Sequence, residues 1–145
     1  MRFADTGWWV AWALPRDERH EIAVEMVRGL GRGEQVLTTN LVIGESWTFL
    51  RRKDSHRTAL AFLDRIDVLG AEGRLCVHRV TEEQETAAWE WLRKHDERGY
   101  SFVDATSFRV MRDRRLREAL AFDQDFAAAG FTELNPLPRP ASNAK

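Results

Sequence analysis

The chain has 145 residues, 43% of them hydrophobic and 31% charged, with a formal net charge of -1 and one cysteine. That length gives one domain with a real core, and the composition excludes a wholly disordered chain. The near-neutral balance excludes a globally basic nucleic-acid binder, leaving a local patch or a metal to meet any polyanionic ligand. A lone cysteine forms no intrachain disulfide. Cys76, inside the apolar run from Leu75 to Val80, is expected to be a buried small hydrophobe in a reducing compartment. No stretch reaches the roughly 20 apolar residues of a membrane helix. Asp5 interrupts any secretory signal, so the expected location is cytoplasmic.

Met1 to Thr6 starts as a strand and runs into Asp5, an acid at the carboxyl end of a first strand, where open α/β sheets keep their chemistry. Asp5 or Thr6 would serve equally as the N-cap of the next helix. That helix, Trp8 to Leu14, ends at Pro15; Trp8, Trp9 and Trp12 occupy adjacent sides of it and are expected to mark an interface. His20 to Leu30 is a second helix with Ile22, Met26 and Leu30 on one face. Gly29, Gly31 and Gly33 end it, and no lysine follows them, as a phosphate loop would require.

Gln35 to Thr38 is a second strand, and Thr39 or Asn40 caps a helix from Leu41 to Lys53. At about 100° per residue, Leu41, Val42, Ile43, Trp47, Phe49 and Leu50 define an apolar arc with Glu45 inside it. This aims a carboxylate at the core side; the alternative is a stripe-edge Glu that snorkels or pairs with an arginine. Ser55 to Leu69 is an amphipathic helix through Ala59, Phe62, Leu63 and Ile66. Leu75 to Val80 is a third strand. Thr81 and Gln84 form a capping box that opens a helix to His95, and that histidine suits the negative helix end better than a metal.

Ser101 to Asp104 opens a helix through Phe108 and Met111, with Asp104 explained as the N3 acid of a capping signature. Glu118 to Phe122 is a fourth strand leading into Asp123-Gln124-Asp125, followed by a short helix to Ala129 and a last strand near Phe131 to Leu134. Residues 135–145, with three prolines, read as a disordered tail after a domain of residues 1–134.

Strands alternating with helices imply an α/β fold, a doubly wound parallel sheet with helices on both faces. If the fourth strand lies beside the first, Asp5 and Asp123 end neighbouring strands, and Glu45 and Asp104 reach the same edge. Four carboxylates in one pocket repel, and a divalent cation removes the conflict. Oxygen ligands without a Cys or His cluster favour Mg²⁺ or Mn²⁺. Such ions suit phosphodiester hydrolysis.

Phe3-Ala4-Asp5-Thr6, Val42-Ile43-Gly44-Glu45-Ser46, Ser101-Phe102-Val103-Asp104-Ala105-Thr106-Ser107-Phe108 and Ala121-Phe122-Asp123-Gln124-Asp125-Phe126, in this order and spacing, resemble the PIN-domain ribonucleases, specifically the VapC-type toxins of type II toxin-antitoxin systems. The resemblance implies a PIN-like three-layer α/β/α sandwich with about five parallel strands. It implies Asp5, Glu45, Asp104 and Asp123 as a quartet binding Mg²⁺ or Mn²⁺, and a metal-activated water attacking RNA. It also implies a homodimer and a cognate antitoxin that blocks the site. Thr6, Ser101, Arg109 and Asp125 are then second-rank groups that position ligands or phosphate. Ala121 stands where the family often has a threonine, which puts the Asp123 side in question, and Asp125 competes with Asp123 as fourth acid.

Arg109, Arg112, Arg114 and Arg115 are expected to guide an RNA backbone or else to form a solvated helix end. Two further readings are an inactive PIN-fold interaction module and a haloacid-dehalogenase-type phosphatase. The latter wants a second Asp two residues after the first, where this chain has Gly7.

Overall fold

Alternating short strands and longer helices build the fold, as the computed structural model of the chain shows for residues 1–31 and 33–134. The elements are β1 (Arg2–Ala4), α1 (Thr6–Ala13), α2 (His20–Arg28), β2 (Val36–Thr39), α3 (Asn40–Lys53), α4 (His56–Ala71), β3 (Leu75–His78), α5 (Glu82–Lys94), α6 (Phe102–Asp113), β4 (Glu118–Leu120), α7 (Asp125–Ala128) and β5 (Thr132–Glu133). The expected elements all form, with ends trimmed by a few residues where loops take over. The tail from residue 135 lies outside the described residues.

The five strands order as β3-β2-β1-β4-β5, and every pairing is parallel. Phe3 pairs with Leu37 on one side and Ala119 on the other. β1 is therefore central, and β2 and β4, reached in opposite directions, flank the switch point. α1 to α4 form one helical group, joined by the edge contact of Trp9 with Phe62. α5 to α7 form the other, where Phe108 meets both Trp91 and Phe126. This is the expected three-layer α/β/α sandwich.

α1 overturns the interface expectation. Trp8 and Trp9 are fully buried and Trp12 is 4% exposed, so no tryptophan of this helix forms a docking surface. They interlock edge to face, with centroids 4.9 Å apart for Trp8 and Trp9 and 5.4 Å for Trp9 and Trp12. The Arg65 guanidinium lies 3.7 Å over the Trp12 ring and closes the outer side. A helix apolar on all sides is a buried helix.

Two other burial expectations shift. Leu63 faces outward at 37% exposure, because the buried stripe of α4 is Ala59, Phe62, Ile66 and Leu69. Cys76 is only half-buried, since β3 is an edge strand with one neighbour. His95 matches its expected role: its Nδ1 lies 2.7 Å from the Trp91 carbonyl at the end of α5.

Candidate metal centre

Parallel strands deliver the first acid. The backbone N–H of Asp5 donates to the Leu120 carbonyl at 3.1 Å, which extends the β1–β4 pairing by one residue and seats Asp5 beside the end of β4. Asp5 occupies the N-cap position of α1, yet its side chain makes no cap hydrogen bond. The carboxylate is thus available to the sheet edge, and the capping explanation for it falls away. Behind it, Thr38 Oγ1 donates to the Ala4 carbonyl at 3.0 Å and accepts Trp9 Nε1–H at 3.2 Å. This relay ties β2 and α1 to the residue just before Asp5.

Asp104 comes from the start of α6. Ser101 Oγ accepts the Asp104 backbone N–H, and Asp104 Oδ2 accepts the Ser101 backbone N–H, both at 2.9 Å. The capping explanation holds here, and it uses Oδ2 alone. The cap thereby fixes the rotamer of a carboxylate that also faces the sheet edge.

Asp123 lies in the loop after β4, where Gln124 adopts a left-handed φ of 69°. Asp123 Oδ1 accepts the Asp125 backbone N–H at 3.1 Å. Asp125 itself turns aside and pairs with Arg98, whose Nε lies 2.9 Å from Asp125 Oδ1.

Among the described residues, Asp5, Asp104 and Asp123 each offer an oxygen, and these oxygens all lie within 4.8 Å of one another. Asp5 and Asp104 are buried and Asp123 is exposed. Burial first, then the charges of Asp104 and Asp123, push the Asp5 carboxyl well above the usual carboxylate range; the Thr6 backbone N–H opposes this and Glu45 adds to it. Burial likewise pushes Asp104 up to about 6, with Ser101 pulling down and Asp123 and Asp125 pushing up. Asp123 is raised by loss of solvent around its carboxyl, while the Asp125 N–H holds it down.

Glu45 lies beside this trio rather than within it. The buried stripe of α3 is Val42, Ser46 and Leu50, whereas Phe49 is 42% exposed. The arc inferred from sequence is therefore displaced: Leu41 and Phe49 line a cavity of about 780 Å³ and not the core. Glu45 is half-buried on that cavity's wall, close enough for its charge to act on Asp5.

Three of the four arginines after Asp104 have protein partners of their own. α6 starts at the carboxylates and advances at about 1.5 Å per residue. Arg109 pairs with Asp113 at 3.0 Å. Arg112 Nη2 donates to the Ala129 carbonyl, and Arg114 Nη2 lies 3.2 Å from His78 Nδ1. Arg98, which sequence reasoning missed, pairs with Asp125 and donates from Nη2 to the Asp123 carbonyl at 3.4 Å. Nothing in the spacing of Arg98 predicts its pairing with Asp125, because Arg98 lies in the loop before α6 and Asp125 opens α7, 27 residues on. Thr6 follows Asp5 at the start of α1, and its Oγ1 is buried with no hydrogen-bond partner.

Residues 2–132 match the PIN domain family. The 23S rRNA-specific endonuclease VapC20 of Mycobacterium tuberculosis, from two strains, is 45% identical over 136 residues, spanning 94% of this chain and 99% of the relative. The crystal structure of M. tuberculosis VapC20, described as a sarcin-ricin loop cleaving toxin, superposes with a TM-score of 0.84 at 43% identity, covering 94% of this chain and all of that one. FitAcB from Neisseria gonorrhoeae, at 17% identity and a TM-score of 0.67 over 94% of this chain and 98% of that one, shares the fold alone. The order of the strands, the convergence of the acids at the switch point and these whole-chain matches agree, and the chain belongs to the PIN-domain family.

Proposed function

We propose that this protein is a metal-dependent endoribonuclease, the toxin of a toxin-antitoxin pair, that hydrolyses a phosphodiester bond in a structured RNA. The observation that carries this reading is the convergence of Asp5, Asp104 and Asp123 within 4.8 Å. Carboxylates this close and this buried repel unless they share a proton or a cation. Their oxygen-only chemistry fits a hard divalent ion, and the orphaned Thr6 Oγ1 offers a further polar atom beside them. Mg²⁺ or Mn²⁺ held there would neutralise the trio, accept a phosphate oxygen and acidify a water.

The protein's own groups would divide the remaining work. Asp5 and Asp104, on rigid elements, fix the ion's position; Asp123 completes the set from a loop. Glu45, on α3 and near enough for its charge to act on Asp5, would add a fourth carboxylate to the ion's surroundings. Ser101 orients Asp104, while Arg98 holds Asp125 out of the ligand set. The relatives' specificity supports a loop of 23S rRNA as the substrate class. We further infer a cytoplasmic protein that forms a homodimer and is silenced by a cognate antitoxin.

Incubating the purified protein with ribosomal RNA and Mg²⁺ or Mn²⁺, then mapping new 5′ ends, tests the activity. Cleavage should stop with EDTA and fall by about 100-fold or more in Asp5→Asn or Asp104→Asn. Full activity in either variant would remove that residue from the site. Capture of a small partner protein by the tagged chain, followed by size measurement of the protein alone and with that partner, tests the antitoxin and the dimer.

A further inference from the structure

We propose that a second, smaller cavity beside Asp123 is a base-binding subsite: it takes one nucleobase flanking the scissile phosphate, stacked at Phe122 with Arg19 and Lys53 set for the adjoining phosphates. This rests on the ribonuclease reading above and extends it to a specificity pocket.

The cavity measures about 220 Å³ and opens between α1, the loop before α2, the end of α3 and the loop after β4. Thr6 and Asp123 form the side shared with the metal centre. A nucleotide whose phosphate sits at the carboxylates therefore has this hollow within reach of its own base or its neighbour's. The volume falls below the roughly 300 Å³ at which sites for drug-sized ligands begin, and suits a single flat ring.

Its walls have the chemistry that single-stranded RNA uses. Phe122 and Phe49 are both lining residues, and each carries a cation: Arg19 sits 5.0 Å over the Phe122 ring and Lys53 sits 5.3 Å over Phe49. Splayed bases stack on aromatic rings and on arginine planes, and cations beside such rings track the backbone. Phe49 is 42% exposed at the end of a helix.

Two details favour a base over an apolar peptide side chain. Asp17 also lines the cavity; its Oδ1 accepts the Arg19 backbone N–H at 2.9 Å, which fixes the carboxylate as an acceptor for a base N–H. On the floor, a Cβ added at Gly7 would meet nothing within 4 Å, so the helix backbone leaves room for a ring to lie flat. An apolar peptide anchor would make no use of the charges of Asp17, Arg19 and Lys53.

The test is an abasic scan. Fluorescein-labelled hairpin RNAs, each lacking one base of the loop, are bound to the full-length protein with Ca²⁺ in place of Mg²⁺, and affinity is read by anisotropy. In the wild type, one position should show a loss of about 5- to 150-fold, the range for one stacked base. Phe122→Ala should bind the intact RNA with a similar loss and no longer sense that position, while Phe122→Tyr keeps the sensitivity. Arg19→Ala, at an exposed residue, should lower the salt dependence by about one counterion and leave the abasic profile in place. A flat wild-type profile, or a Phe122→Ala profile identical to wild type, overturns the subsite. Cleavage of intact RNA with Mn²⁺ is scored separately, so a protein that cuts RNA with a flat profile loses the pocket and keeps the activity.

Discussion

Ser101 and Asp104 hold each other through two reciprocal hydrogen bonds of 2.9 Å, and the same Asp104 carboxyl stands with those of Asp5 and Asp123. One side chain thus completes a helix cap and faces the candidate metal. Ser101→Ala should lower stability by about 1 kcal/mol through loss of the cap. It should also weaken Mn²⁺ binding by about 10- to 100-fold, as loss of a group that orients a ligand does. Calorimetric titration with Mn²⁺ reads the second effect, and Ser101→Thr, which keeps the hydroxyl, should restore both.

Stability of the metal-free protein should fall as pH rises. Asp104 titrates near 6 in the folded chain against an ordinary value of 3.8. Its contribution is therefore fully present below about pH 3.8, is lost through the window up to about 6, and stays lost above it. The penalty at neutral pH is on the order of 3 kcal/mol. Asp5, raised further by burial and its acidic neighbours, acts in the same direction. Thermal melts in EDTA should show Asp104→Asn more stable than wild type at pH 7.5, with the difference closing by pH 4. Adding Mn²⁺ at pH 7.5 should reverse the order.

Thr38 is the hinge of a buried relay from Trp9 to the Ala4 carbonyl. Thr38→Val keeps the shape and removes both bonds, leaving the indole N–H unpaired. A cost of about 1 to 3 kcal/mol is expected in urea denaturation. Trp9→Phe in the Thr38→Val background should then cost less than it does in the wild type, because the orphaned donor is gone.

Gln124 stands at φ 69° in the loop that presents Asp123. Glycine adopts that conformation without the side-chain clash, so Gln124→Gly should change stability by less than about 1 kcal/mol in either direction: relief of strain opposes the added freedom of the unfolded chain. Arg98→Gln, by contrast, frees Asp125. It should lower metal-dependent cleavage more than it lowers the melting temperature, and the ratio of the two effects is the measurement.

Much of this molecule is legible in its one-dimensional pattern. Strand and helix alternate with clear caps at Thr39, Ser55, Thr81 and Ser101, each of which accepts a backbone N–H of its own helix. Capping is local, so sequence carries it. The all-apolar face of α1 was legible too: TGWWVAWA has no polar side, and its burial follows from that alone, although three tryptophans invite the opposite conclusion.

What sequence determined by itself is the parallel α/β order and a set of candidate acids, Asp5, Glu45, Asp104 and Asp123 with Asp125 as competitor, since an acid that follows a parallel strand lies at the sheet's carboxyl edge. Tertiary structure decided the rest. Glu45 sits beside the trio because α3 turns Leu41 and Phe49 to a cleft rather than the core, and periodicity does not distinguish an apolar cleft from an apolar core. Asp123 rather than Asp125 joins the set because Arg98, 27 residues away from Asp125, claims the second acid. Arg19 and Lys53 come together from the loop before α2 and the end of α3. Local bonding is written in neighbouring residues; which charges meet across the chain depends on how the helices pack.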